Sequence, residues 1–135
     1  MSQSLQILMQ IKQALIDAGV VGGQVTESAR VLRRYRHYPA IGIFRLDDAP
    51  AGDVAPVGFE MRQLSCELRI LQDDAVAETA VDALHAQVHR IVMSLRLGVL
   101  TVAGGVSFDT AEENPDLGVI RAQYHINYRR QEGDL

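Results

Sequence analysis

The sequence predicts an α+β domain in which two helices pack on one face of a mostly antiparallel, mixed β-sheet. Three observations carry that prediction. Residues 59–71 (FEMRQLSCELRIL) and 119–129 (VIRAQYHINYR) alternate apolar and polar side chains, as strands with one packed face do. Residues 75–97 repeat apolar side chains at three- and four-residue spacing, as an amphipathic helix does. Residues 4–18 show the same spacing in Leu5, Leu8, Ile11, Leu15 and Ala18.

A length of 135 residues suits one domain, spanning 1–135, and 47% hydrophobic with 22% charged residues is the balance of a folded globular chain. The net charge of −4 offers no general attraction to nucleic acid. Cys66 falls on the apolar face of its strand and reads as a small buried hydrophobe. No basic start precedes a long apolar run, and no window approaches the ~20 apolar residues of a membrane span. A soluble protein that remains in the compartment of its synthesis, without membrane contact, is therefore expected.

Along the chain, Ser2 or Ser4 can cap the first helix and Gly19 can end it. Residues 20–26 (VVGGQVT) read as a turn leading into an extended segment. Residues 29–36 (ARVLRRYR) fit a strand or an irregular extended segment, with a second helix as the alternative. Residues 38–44 (YPAIGIF) form a short strand opened by Pro39 and covered on both faces. Residues 47–58 (DDAPAGDVAPVG) read as a long loop, expected to be mobile. In 59–71 the apolar phase changes from odd to even near Arg62 and Gln63, which a β-bulge or a departure from the sheet would reconcile.

Asp73 and Asp74 are placed to cap the helix at 75–97, and Gly98 to end it. Its buried stripe is Ala77, Ala80, Val81, Leu84, Val88, Ile91, Val92 and Leu95. Residues 99–110 give another extended segment, interrupted at Gly104–Gly105. The acidic loop 111–118 (AEENPDLG) turns the chain into its last strand.

The chemistry-bearing residues form no familiar catalytic set. His85 and His89 have the spacing by which two imidazoles on a helix reach one metal, but no acid lies between them. On a helical wheel they flank the apolar stripe, so a solvated pair is expected. His37 and His125 stand apart from any serine or carboxylate in sequence. No phosphate loop and no nucleophile elbow is present. No catalytic, cofactor-binding or metal-ligating residue is assigned, and the chain is read as a non-enzyme.

Arg30, Arg33, Arg34 and Arg36, with Tyr35 and Tyr38, carry three readings. They could contact phosphates and bases, stand as an ordinary solvated face, or pair with an acidic patch on a neighbouring subunit. The chain supplies acidic candidates at Asp47, Asp48 and Asp53, and at Glu112, Glu113 and Asp116.

The pattern resembles the tail terminator proteins of long-tailed bacteriophages, the lambda gpU type. The matching pieces are YPAIGIF, the Pro/Gly/Asp-rich loop, CELRIL at 66–71, and DALHAQVHRIV at 82–92. VAGGVSFD at 102–109, the acidic turn EENPDLG at 112–118 and the final strand ending in YHINYR complete them. The Arg-rich segment 30–36 and Gly22–Gly23 have no counterpart in it.

The resemblance implies a structural subunit that closes into a homohexameric ring, caps the finished tail tube and stops its polymerisation. It also implies a surface for head-completion proteins, a lumen through which genomic DNA passes without sequence-specific binding, and no cofactor. The expected location is the tail end of a virion or tail-like particle assembled in the bacterial host cytoplasm. A ring needs two different, complementary patches per subunit, and the basic and acidic segments are the candidates. The alternatives are a small nucleic-acid-binding domain using Arg30–Arg36, and a small-molecule enzyme or ligand-binding subunit of ferredoxin-like architecture.

Overall fold

Ser2 caps the first helix, α1 (Gln3–Ala18), by accepting from the backbone N–H of Leu5, and Gly19 ends it at φ 67° in the left-handed region. A computed structural model of the chain describes residues 2–51, 59–73, 78–111 and 114–131. After α1 come β1 (Val25–Thr26), a one-turn helix α2 (Ala29–Leu32), β2 (Ala40–Pro50) and β3 (Phe59–Asp73). Helix α3 (Glu78–Ser94), β4 (Leu100–Ala111) and β5 (Asn114–Gln131) complete the order. The strands lie in the order β1-β2-β3-β5-β4, with β1 parallel to β2 and every other pair antiparallel. The architecture is thus the predicted α+β, with a mixed five-stranded sheet.

Period-2 alternation does its work in β3 and β5, which pair without a register break from Phe59↔Gln131 to Asp73↔Leu117. Leu64, Cys66, Leu68 and Ile70 face the same side as Ile120, Ala122, Tyr124, Ile126 and Tyr128. With Ile7, Leu8, Ile11 and Leu15 of α1 and Val88 and Val92 of α3 they make the main core. The two long helices therefore cover one face.

A smaller core occupies one end of the other face. Leu32, Ala40, Leu71, Leu117 and Val119 meet there, joined by Tyr35, Tyr38 and Phe44. Gly42 lets this cluster close: a Cβ on it would stand 2.6 Å from Leu32 Cδ2 and 2.5 Å from Phe44 Cε2. Ala40, Ile41 and Ile43 are buried, so the start of β2 is covered on both faces as expected.

Several expectations give way. The segment 29–36 is neither a strand nor extended. It is the single turn α2, capped by Ser28 accepting from Val31 N–H, followed by turns. The loop expected from residue 47 does not begin there, because Asp47, Asp48, Ala49 and Pro50 pair with Ser65, Leu64, Gln63 and Arg62 of β3. Its remainder from residue 52, Asp53 included, lies outside the described residues.

The bulge expected in β3 near Arg62 lies instead across the ladder in β2, between Arg45 and Asp47, where Leu46 is the extra residue. Asp73 ends β3 rather than capping a helix, while Asp74 and Ala77 lie outside the described residues. Ala80, assigned to the buried stripe, is exposed. β5 begins at Asn114, so most of the expected loop 111–118 is strand, with Glu112 and Glu113 outside the described residues.

Candidate assembly surfaces

The sheet order puts chemically different surfaces at its two edges. At the β1 edge, α2 carries Arg30 and the turns after it carry Arg33, Arg34 and Arg36, all exposed, around the exposed apolar Val31. The segment is pinned from below by Leu32, and Tyr38 donates its hydroxyl to the Leu32 carbonyl at 3.1 Å. Burial pushes the Tyr38 phenol above its ordinary pKa. Tyr35 and Tyr38 are thereby held in the small core and do not stand out as stacking platforms for bases.

At the opposite edge, β4 is bare. Val99, Leu100, Val102, Val106 and Phe108 are all exposed, Phe108 at 63% of its full area. The Gly104–Gly105 interruption is real and its effect is large. The register shifts between Ala103 and Val106, so Val102 lies opposite His125 on one face while Val106 lies opposite Ala122 on the other. Four even-numbered apolar residues are thus divided between both faces of an edge strand.

Beside β4, on the helix-covered side, a cleft of about 420 Å³ opens between the start of α3 and the β4–β5 hairpin. Ile70, Val81, Phe108 and Ile120 line it, and Asp73, Glu78, Asp82 and Asp109 surround it. Sequence reasoning missed this groove. Only the β4–β5 register, invisible in any one segment, sets Phe108 opposite Ile120 beside the start of α3.

The predicted acidic candidates are scattered. Asp47 is exposed on β2, beyond the bulge at Leu46. Asp116 is exposed near the start of β5. Asp48 is not a loop charge facing solvent. It accepts from Arg62 Nε at 3.0 Å and from the Tyr128 hydroxyl at 2.7 Å. Arg62 also bonds Glu60 at 2.8 Å, and Arg130 bonds the other Glu60 oxygen.

Burial opposes ionisation of Asp48, but the bonds from Tyr128 and Arg62 outweigh it and hold its pKa below the usual carboxylate range. Burial would likewise lower the pKa of Arg62, yet Asp48 and Glu60 raise it beyond its ordinary value. The Tyr128 phenol is pushed up to about 12, by burial first and then by Asp48. This closed network seals one end of the main core.

The histidines also differ from expectation. His85 and His89 do not form a solvated pair. His89 stacks on Tyr124, with ring centroids 5.8 Å apart and its Nδ1 2.9 Å from the phenol oxygen. The His85 ring stands edge-on to Phe108, and its Nε2 is buried without a partner among the described residues. Burial, then His89, lower its pKa against an opposing pull from Asp82.

His125, expected to stand alone, pairs with Ser65 directly across the ladder, Nδ1 2.8 Å from Oγ. The pair lies among Gln63, Glu67, Arg69, Arg121 and Gln123 on the face opposite the long helices. There Glu67 bonds Arg69, and the Arg69 guanidinium rests 4.5 Å above the Phe44 ring.

Among the described residues, no group of three or more His, Cys, Asp or Glu could hold a metal ion, and no helix is long and apolar enough to cross a membrane. No known protein family matches the chain, and no characterised protein matches it in sequence.

Proposed function

We propose that this chain is a structural subunit that assembles head to tail into a ring of the tail-terminator kind. On this reading the ring caps a phage or tail-like tube, ends its growth and presents a surface to head-completion proteins. One observation carries the reading: the sheet has two unlike edges, one basic and one apolar with acidic groups beside it. A subunit with two different, mutually complementary patches makes heterologous contacts, and such contacts close into rings when the rotation allows. The order of elements from residue 38 onward, which resembles that family, supplies the particle.

Native mass spectrometry and negative-stain imaging of the purified chain, alone and with its tube protein, test the proposal. Hexameric rings, with tubes of one defined length when the chain is present, are the expected result. A chain that stays monomeric in both preparations and leaves tube length uncontrolled would overturn it. Salt-sensitive DNA binding in place of assembly would transfer the function to the Arg30–Arg36 segment as a nucleic-acid contact.

A further inference from the structure

Two surfaces of the chain each set an exposed apolar side chain among charges, and the charges are of opposite sign. On α2 and the turns after it, Val31 is an exposed apolar knob flanked by Arg30 and Arg34. Arg30, Arg34 and Arg36 form no ion pair among the described residues. In the cleft beside β4, Phe108 is an exposed apolar lip, with Glu78 and Asp82 of α3 across from it. A knob ringed by cations thus has, elsewhere on the same chain, an apolar hollow ringed by carboxylates.

One chain cannot bring the two together. The patch sits at the β1 edge and the cleft at the β4 edge, four inter-strand spacings or roughly 19 Å across the sheet. They also lie on opposite faces. Leu71 and Val119 enter the small core under α2, whereas the cleft, which Val119 also borders, is built on Ile70, Val81 and Ile120 of the helix-covered face.

We infer that the cleft between α3 and β4 receives the Val31 knob of a second copy of this chain, with Arg30 and Arg34 of that copy facing Glu78 and Asp82. The inference rests on the head-to-tail reading above and names the contact that would make the ring. The apolar centre excludes water, and the surrounding charges set orientation and suppress the wrong docking of two like patches. Because each chain keeps one patch and one cleft free after pairing, the contact propagates instead of stopping at two.

Cysteine trapping tests this directly. Cys66 is buried and its thiol is pushed up to about 12 by that burial, so the native chain contributes no competing thiolate. The double variant Val31→Cys, Phe108→Cys, oxidised at assembly concentration, is expected to give a ladder of dimers, trimers and higher species on non-reducing gels. Each single variant should give none beyond dimers.

Adding Arg30→Glu and Arg34→Glu should reduce the ladder about tenfold, the scale of two exposed attractions turned into repulsions. Adding Glu78→Arg and Asp82→Arg to that chain should restore it. A product that stops at dimers, or a ladder indifferent to both reversals, overturns the inference. Rings that form without this crosslink would defeat this interface alone, whereas the absence of any assembly would defeat the ring reading itself.

Discussion

The Tyr128 hydroxyl donates to Asp48 Oδ2 at 2.7 Å, joining the far end of β2 to β5 across the intervening strand β3. Arg62 of β3 holds the other carboxylate oxygen, so three strands are tied at one point where the hydrophobic core ends. Asp48→Ala takes the Nε partner from a guanidinium that is only 13% exposed and leaves it Glu60, and a loss of about 1.5–3 kcal/mol is expected. Tyr128→Phe should cost about 1 kcal/mol, and the double variant less than the sum. Urea midpoints of the single and double variants check this.

The same network sets an acid limit. The Asp48 carboxyl has its pKa lowered in the folded chain, so its contribution is complete above the unfolded carboxylate pKa. It is lost as pH falls through the lower folded value. Asp48→Asn should therefore be less stable than the parent at neutral pH and lose less on acidification. Thermal melts across a pH series read both effects.

His85 contributes with the same sign for a different reason. Its lowered pKa means that the folded chain resists protonation, so stability declines as pH drops below about 6.5, the ordinary histidine value. The decline continues until the folded-state value is passed. His85→Leu should flatten that part of the curve. NMR titration of the His85 ring provides the independent check.

Gly42→Ala places a methyl group against Leu32 and Phe44. Overpacking of this kind costs about 1–3 kcal/mol, and here the Phe44 ring and the Leu32 side chain beneath α2 must shift to relieve it. Melting temperature and assembly should fall together. Leu100→Lys with Val102→Lys, on an exposed strand, should instead leave stability within about 0.5 kcal/mol while weakening assembly.

How far these features could be read from the chain depended on whether a signal was local. The cores of β3 and β5 and the stripe of α3 follow from alternation and helical spacing within single segments. The extension of β2 through Pro50 was hidden, because Asp47, Asp48 and Pro50 have loop composition and only pairing with β3 keeps them extended. The bulge was misplaced for the same reason: a phase change in one strand does not say which strand of a pair carries the extra residue. Ser65–His125 and His89–Tyr124 join residues far apart in the chain, and their registers are not written in either segment. The four arginines were visible as a patch, but the cleft beside β4 needed α3, β4 and β5 together.

The bare β4 edge also bears on how the free chain avoids aggregation. An exposed apolar edge strand invites indiscriminate sheet-to-sheet zipping into fibrous aggregates, because its outer donors and acceptors stand ready for any other strand. In β4 the shift between Ala103 and Val106 breaks that row into two short, out-of-phase halves. A foreign strand that matches one half is out of step with the other. Replacing Gly104–Gly105 by a single residue would restore one continuous phase, and the expected outcome is a chain that precipitates as it accumulates. The bulge that spreads apolar side chains over both faces is thus also the chain's protection against its own stickiness.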